Sequence, residues 1–328
     1  MKNNQDNYIG KIIVEKDNIR IDIFLQSQFN KFSRTKIKSF ISSKKIKVNE
    51  KPIRPSYILK MYDSITYDFT ITKNEIIVPK EMDLKIIYED DQLIVINKPS
   101  GLVVHPGNGT VNNTLVNGLV FHFSKLSSVN ESRPGIVHRL DKETSGVIII
   151  AKDDQSHIHL SKQFEERTVK KKYHAITWGD ISESGQISGY INRDRKDRTI
   201  FTLNDNIKGK FSESNYRIID YLNPMSHVEI QPKTGRTHQI RVHLKSISHP
   251  ILCEVSYGGG SDRIKSFHMK HNKILKKIIN TINRVALHAF SLEIEHPLKK
   301  ERMIFSAPLP KDFINCLKLL NEYQNVIQ

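Results

Sequence analysis

Two polar strings carry the residue types that could do chemistry: carboxylate, arginine and histidine packed closely in loops. The first is Arg133-Pro134-Gly135-Ile136-Val137-His138-Arg139-Leu140-Asp141-Lys142-Glu143-Thr144-Ser145-Gly146, running straight into the apolar segment Val147–Ala151. A carboxylate in so dense a loop, against a strand that reads as buried, must be paired or hydrogen-bonded, because an isolated buried charge is very costly. Asp141 is therefore the carboxylate of this string that needs a partner. A plainer role fits the same residues: Asp141 capping a turn, with Thr144 and Ser145 satisfying backbone groups. The second string is Lys233-Thr234-Gly235-Arg236-Thr237-His238-Gln239-Ile240-Arg241-Val242-His243-Leu244. It predicts a helix whose first turn holds Thr237, with Arg241 four residues on along the same face. An arginine aimed at Asp141 would keep that carboxylate charged and oriented; a structural ion pair is the alternative. A third candidate is Tyr173, in Lys170-Lys171-Lys172-Tyr173-His174-Ala175. Its ring is either a core residue with a polar handle or a platform that stacks on a base.

The elements that must position these residues are short. From Leu84 onward, β-rich runs alternate with turns: Lys85–Tyr88, Gln92–Asn97, Val147–Ala151, Tyr173–Trp178 and His227–Gln231. Helical patterns occur near 154–168, 237–248 and 311–325. This predicts an α+β fold with a mostly antiparallel, mixed sheet rather than a doubly wound parallel one. Gly107-x-Gly109 lacks a third glycine, and no Walker-type Gly-Lys-Ser/Thr is present, so a nucleotide cofactor is not expected. The 14 histidines show no H-E-x-x-H spacing and no cysteine partners, so no metal is expected either. A hydrolase using His138 and Asp141 lacks a nucleophile motif such as G-x-S-x-G.

The chain has 328 residues, with 51 Lys+Arg against 35 Asp+Glu, a net charge of +16. That excess points to a polyanion, nucleic acid before anionic membrane. No apolar run reaches the roughly 18 residues needed to cross a bilayer, and MKNNQDNYIG has no signal-peptide core. With only Cys253 and Cys316, a disulfide framework is excluded and a reducing, cytoplasmic setting is expected. Residues 1–60 hold 14 Lys+Arg and 5 Asp+Glu, a net of +9. There Ile23, Phe24, Phe29, Phe32, Ile37, Phe40 and Ile41 recur at roughly helical spacing, and Ser33 reads as an N-cap. Arg34, Lys36 and Lys38 should lie on the exposed side of the helix it opens. Lys45-Ile46-Lys47-Val48-Asn49 reads as a strand and Asn49-Glu50-Lys51-Pro52 as a turn. A small helix-and-strand module with one cationic face, residues 1–67, is expected, with Arg20, Ser33, Arg34, Lys36, Lys38, Lys45 and Lys47 as candidates for contact with a nucleic acid. Residues 68–82 lack periodicity and read as a linker, leaving 83–328 as the larger domain.

Two resemblances sharpen this. Arg20-Ile21-Asp22, Ser33-Arg34-Thr35, Val48-Asn49 and Tyr57-x-Leu59-Lys60-x-x-Asp63 resemble the S4-like RNA-binding domain, although Lys45 and Glu50 stand where glycines usually flank the Val-Asn pair. Residues 84–312 resemble the RluA/RluD family of RNA pseudouridine synthases. The matching residues are His138-Arg139-Leu140-Asp141-x-x-Thr144-Ser145-Gly146, Thr234-Gly235-Arg236-Thr237-His238-Gln239-Ile240-Arg241, Asn97-Lys98-Pro99-x-Gly101-x-x-x-His105-Pro106, Tyr257-Gly258-Gly259, Ala286-Leu287-His288-Ala289 and His296-Pro297. One departure is that Cys253-Glu254 replaces the family's Gly-Asp; Glu254 keeps the negative charge but is one methylene longer, which is expected to shift a local salt bridge and leaves the catalytic assignment untouched.

The resemblance implies isomerisation of uridine: uracil is detached from its ribose at N1, turned, and rejoined through C5, with no cofactor. Asp141 would be the essential carboxylate. Three routes are open to it: attack on the base, attack on the anomeric carbon, or proton removal that generates a glycal. Arg241 would be its partner, and Tyr173 would stack on uracil and assist late proton removal from C5. Arg139 would fill the gap left by a flipped uridine, His138 would buttress the loop, and Ile240 and Val242 would pack around the flipped base. RluD-like flanks favour large-subunit (23S) ribosomal RNA as substrate over transfer RNA, with the enzyme acting as a monomer. A non-catalytic assembly factor is the alternative outside enzymes, opposed by the intact Asp141, Tyr173 and Arg241.

Overall fold

The computed structural model describes residues 5–29, 32, 34–72, 77–106, 112–130, 132–181, 184–194, 196–205 and 207–327. Ser33 and the Gly107-x-Gly109 segment therefore lie outside the described residues. The chain divides into two compact units, Met1–Ile76 and Ile77–Gln328.

In the first unit, β1 (Gln5–Ile13), β2 (Ile19–Arg20), α1 (Ile21–Gln28), α2 (Arg34–Ser42), β3 (Ile46–Val48), β4 (Lys51–Pro52), β5 (Ile58–Leu59) and β6 (Ser64–Thr72) follow in order. The main sheet runs β1-β6-β3-β4 and is antiparallel throughout. Strand β6 takes in Asp68–Thr72, which the sequence assigns to the linker. Residues 64–72, Ser-Ile-Thr-Tyr-Asp-Phe-Thr-Ile-Thr, alternate polar and apolar, a period-two strand signal that the linker reading overlooks, and the strand pairs with β1 over nine residues. Strand alternation buries Ile46 and Val48 and leaves Lys47 on the opposite face. The core also takes Ile21 and Leu25 from α1, Ile37, Phe40 and Ile41 from α2, and Phe69, which stacks on Phe40 at 4.2 Å between centroids. Asn49 and Glu50 both adopt left-handed backbone angles, φ 49° and 63°, making a two-residue hairpin between β3 and β4. Glu50 thus takes a glycine conformation, at a cost of about 1 kcal/mol. The Asn49 side chain, which donates to Asp63 (2.8 Å) and accepts from the Ser64 amide (2.9 Å), holds the turn in place.

The second unit contains β7 (Ile86–Glu89), β8 (Leu93–Lys98), α3 (Leu115–His122), β9 (Ser145–Ala151), α4 (Asp154–Glu165), β10 (Lys170–Trp178), β11 (Gly185–Arg193), β12 (Phe201–Asn204), β13 (Lys210–Leu222), β14 (Met225–Pro232), α5 (Gln239–Ser246), α6 (Asn272–Ile282), β15 (Leu287–Glu295), β16 (Arg302–Ser306) and α7 (Lys311–Ile327). One sheet joins all ten strands in the order β12-β11-β13-β14-β10-β15-β9-β8-β7, with β16 on β15. Among the described pairings only β9 with β15 is parallel, so the sheet is mixed and mostly antiparallel, as the sequence predicts. Strand β9 is buried on both faces. Val147, Ile149 and Ala151 pack with Leu160 of α4, while Ile148 and Ile150 pack with Leu115 and Leu119 of α3. Gly146 sits where β9 meets β15, at φ 114°, and a Cβ there would lie 2.1 Å from the Ala289 carbonyl oxygen. No other residue lets the Asp141 loop enter the sheet at this point.

The interior holds titratable groups with a measurable consequence. Burial pushes His243 and His288, 1% and 0% exposed, down to about 4. Between an unfolded value of about 6.5 and a folded value near 4, the unfolded chain binds protons that the folded one refuses. Stability is therefore lost as pH falls through that window, by up to about 1.4 kcal/mol per pH unit for each group. The urea midpoint should drop steadily from pH 7 to pH 5; a flat midpoint over that range would contradict this account.

Candidate active site

Asp141 lies between the end of the His138-Arg139-Leu140 segment and β9, and three parts of the molecule fix its loop. The Lys98 ammonium, fully buried, donates to the carbonyls of Pro99 (2.8 Å), Leu102 (2.9 Å) and Lys142 (3.2 Å). Three acceptors match the three N–H bonds of the charged form. Burial lowers this lysine to about 7, opposed by the nearby charges of Glu143 and Asp141. The Gly101 amide also donates to Lys142 O (2.9 Å), and the Ser100 hydroxyl to Glu143 O (2.7 Å). On the far side, Ser145 Oγ meets His288 Nδ1 at 2.9 Å. The role of Asn97-Lys98-Pro99-x-Gly101 is therefore to hold the backbone on which Asp141 stands, a role that sequence reasoning leaves unassigned.

The second string folds back onto the same place. The Gln239 side chain organises it, its oxygen accepting from the Thr234 hydroxyl (2.6 Å) and the Arg236 amide (3.0 Å), its amide donating to Glu213 O and Ser214 Oγ. His238, at φ 55°, precedes the helix and meets the Tyr257 hydroxyl at 2.8 Å. The helix thus starts at Gln239, and Thr237 stands outside it rather than on a shared face with Arg241. The expected Asp–Arg contact is present all the same: Arg241 Nη1 donates to Asp141 Oδ2 at 3.2 Å. Its larger partner is Glu254, 1% exposed, which accepts from Nε and from Nη2 (3.0 Å) in a bidentate pair. The guanidinium carbon lies 5.1 Å from the centre of the Tyr257 ring. The negative charge kept at position 254 thus forms the local salt bridge of the site, on the arginine that also meets Asp141. One arginine bridges a solvent-facing carboxylate and a buried one, an arrangement that orients Asp141 without burying it.

Asp141 and Arg241 line a pocket of about 510 Å³, in the range for small ligands. His138, Arg139, Tyr173, Ile240 and Leu287 line it together with Asp141 and Arg241. The His138 ring stacks on Phe164 (4.6 Å, 23°) and its Nε2 accepts from the Ile149 amide at 3.0 Å. Burial drives it down to about 3, so it is a neutral prop for the loop. Arg139 is exposed at the mouth, its Nη1 3.2 Å from His105 Nε2. Burial and the charge of Asp141 push the Tyr173 phenol far up, so it faces the pocket as a neutral phenol. Val242 is not in the pocket: it is 2% exposed and packs with Ile191 and Tyr257. The helix turns about 100° per residue, so Ile240 and Arg241 face the pocket and Val242 faces away. Arg139, Arg167, Lys171, Lys233 and Arg236 crowd the lining and outnumber Glu165 and Asp141, giving a cationic mouth. Among the described residues no group of three or more His, Cys, Asp and Glu could hold a metal.

In the first unit, Arg20 (3.1 Å), Arg34 (2.9 Å) and Lys38 (3.6 Å) converge on Asp22, itself fully buried. Burial opposes the Asp22 charge, yet hydrogen bonds from Arg34 and Arg20 hold it below the usual carboxylate range. Arg34 and Lys38 are thus braced by a carboxylate rather than freely solvated, each about two-fifths exposed (41% and 44%). Lys45 and Lys47 stand on the face opposite the core, and Lys36 lies in α2.

Comparison with known proteins identifies the family of both units. The RNA pseudouridylate synthase family matches residues 92–246 and the S4 domain family residues 19–65. An uncharacterised RNA pseudouridine synthase of Bacillus subtilis is 37% identical over 94% of this chain and 96% of its own. The ribosomal large subunit pseudouridine synthases D of Zymomonas mobilis and Vibrio cholerae are each 35% identical, over 92% of this chain and 93% and 91% of theirs. Among solved structures, human RNA pseudouridylate synthase domain containing 1 superposes with a TM-score of 0.54 at 25% identity, covering 71% of this chain and 87% of that one. The chain therefore belongs to the RNA pseudouridine synthase family, an isomerase that converts uridine in RNA to pseudouridine and carries an S4 domain ahead of its catalytic unit.

Proposed function

We propose that this enzyme isomerises uridines of large-subunit ribosomal RNA, with Asp141 as the reacting carboxylate, and acts as a cytoplasmic monomer. The observation that carries the reading is the bridge from Asp141 through Arg241 to buried Glu254, set in a pocket with a cationic mouth. A flipped uridine entering that pocket meets Tyr173 as a stacking surface and Ile240 and Leu287 as apolar walls. The Asp141 carboxylate, aligned by Arg241, then acts on the base or the sugar. Uracil leaves C1′ through N1, turns, and rejoins through C5; the C5 proton is lost and N1 gains one, so no redox partner is needed. Arg139, at the mouth, stacks in the gap that the flipped base leaves, which offsets part of the few kcal/mol that unstacking costs. The names of relatives 35% identical over 92% of the chain support the ribosomal substrate.

The test is carbodiimide and primer-extension mapping of ribosomal and transfer RNA from cells lacking the gene, complemented with the parent or with Asp141→Asn. Loss of large-subunit pseudouridines that only the parent restores is expected. Their persistence in the deletion strain, or loss confined to transfer RNA, contradicts the assignment.

The first unit supplies affinity rather than chemistry. Among the described residues its core is made from residues 8–69, and its cations would contact phosphates irrespective of sequence. Deleting residues 1–76 should weaken RNA binding and flatten its salt dependence, while turnover survives at saturating RNA. A folded truncated enzyme that is inactive on saturating RNA is the contrary result.

A further inference from the structure

Residues 263–283 contain six Lys/Arg and no Asp or Glu; with the +9 of residues 1–60 they account for all but one unit of the +16. The second unit therefore has its own concentrated positive segment, and helix α6 lies within it. Leu275, Ile278 and Ile282 of α6 are buried in the core with Ile251, Leu252 and Phe313. The opposite side presents Lys273, Lys276, Lys277 and Asn280, all exposed. At 100° per residue these four fall within about a third of the helix circumference and, from Lys273 to Asn280, along about 10 Å of its length. Among the described residues none of the three lysines is in an ion pair, so this face gathers three uncompensated charges, whereas Lys265 in the same segment is matched with Asp262. Like charges gathered on one rigid face and left unmatched repel one another, which costs stability unless a polyanion is present.

We infer that this face of α6 is a second RNA-docking surface, taking the sugar–phosphate backbone of a duplex that flanks the target uridine; the inference rests on the RNA substrate proposed above. Three lysine ammonium groups suit backbone contact rather than base reading, since each is a point charge with rotatable donors. A membrane is the poorer fit. The apolar side of α6 is already packed into the core, so the helix lacks the exposed apolar face that interfacial helices bury in lipid.

The test uses the full-length chain carrying Lys273→Gln, Lys276→Gln and Lys277→Gln together, titrated with a plain RNA duplex from about 50 to 200 mM salt. The slope of log affinity against log salt should become shallower by about 2–3, at about 0.9 for each lost phosphate contact. Binding at low salt should weaken about tenfold or more, with the thermal midpoint and turnover at saturating substrate unchanged. Parent-like slope and affinity overturn the inference, as does a variant that loses binding only to vesicles of anionic lipid. Activity of the parent on ribosomal RNA is scored separately. If the parent modifies none but shows the lysine-dependent slope, the substrate reading fails and the docking surface stands.

Discussion

Asp141→Asn should abolish pseudouridine formation, by roughly 10⁴-fold or more in single-turnover rate, as expected when the reacting group itself is removed. The amide keeps the shape of the carboxylate and an oxygen that can still accept from Arg241, but it is neither a nucleophile nor a base. The fold should hardly notice. Arg241 retains its bidentate pair with Glu254, so the change leaves no buried charge without a partner. The contacts that hold the loop also survive, because Lys98, Ser100 and Gly101 bind backbone oxygens of Lys142 and Glu143 rather than the Asp141 side chain. A midpoint shift worth less than about 1 kcal/mol is expected, with RNA affinity within a few-fold of the parent. Release of tritium from C5-labelled uridine in RNA measures the rate. A residual rate within tenfold of the parent would remove Asp141 from the chemistry.

Asp141 and Arg241 were legible because each stands in a string dense with polar residues beside an apolar run, and such a string must satisfy its polar groups locally. Their pairing across 100 residues is a tertiary fact, made credible by the charges and by the resemblance. Glu254 was not legible as Arg241's main partner: nothing at position 254 announces which cation it faces until the short helical turn Val255–Tyr257 carries it under α5. Lys98 hid for a similar reason, since a lysine in sequence gives no sign that three carbonyls await it in the interior. Ile240 and Val242 looked alike as apolar neighbours, and only the true start of the helix separates pocket wall from core. The strands β11–β13 escaped because Gly185–Arg193 and Lys210–Leu222 carry many polar residues and alternate weakly. For α6 the signal was there: Ile274, Leu275, Ile278, Ile279 and Ile282 recur at helical spacing. Cation counting likewise found the N-terminal cluster but gave no hint that Asp22 braces Arg20, Arg34 and Lys38 from inside.

Arg241→Met should damage stability and activity together, and a second substitution should separate the two. Removing the guanidinium strands Glu254, 1% exposed, without its partner, and breaking a buried pair from one side costs about 3–5 kcal/mol. It also takes away the group that aligns Asp141, with an expected rate loss of about 10²–10³-fold, as for a lost preorganised donor. Adding Glu254→Leu removes the stranded charge and fills its space with apolar volume. Replacing a buried ion pair in this way is often neutral or stabilising, so the double variant should recover most of the lost urea midpoint. The rate should not recover, because Asp141 still lacks the only arginine within 4 Å among the described residues. Glu254→Leu alone completes the cycle. Arg241 then keeps one carboxylate, Asp141, at 3.2 Å and Tyr257 beneath it, so this variant should be destabilised while retaining more activity than either change at position 241. Urea midpoints and tritium release on the four proteins supply the coupling energy between the two positions. If the rate returns with stability in the double variant, Arg241 serves the fold alone. If the two remain separate, the arginine is what turns a buried glutamate into a fixed support for a reacting aspartate.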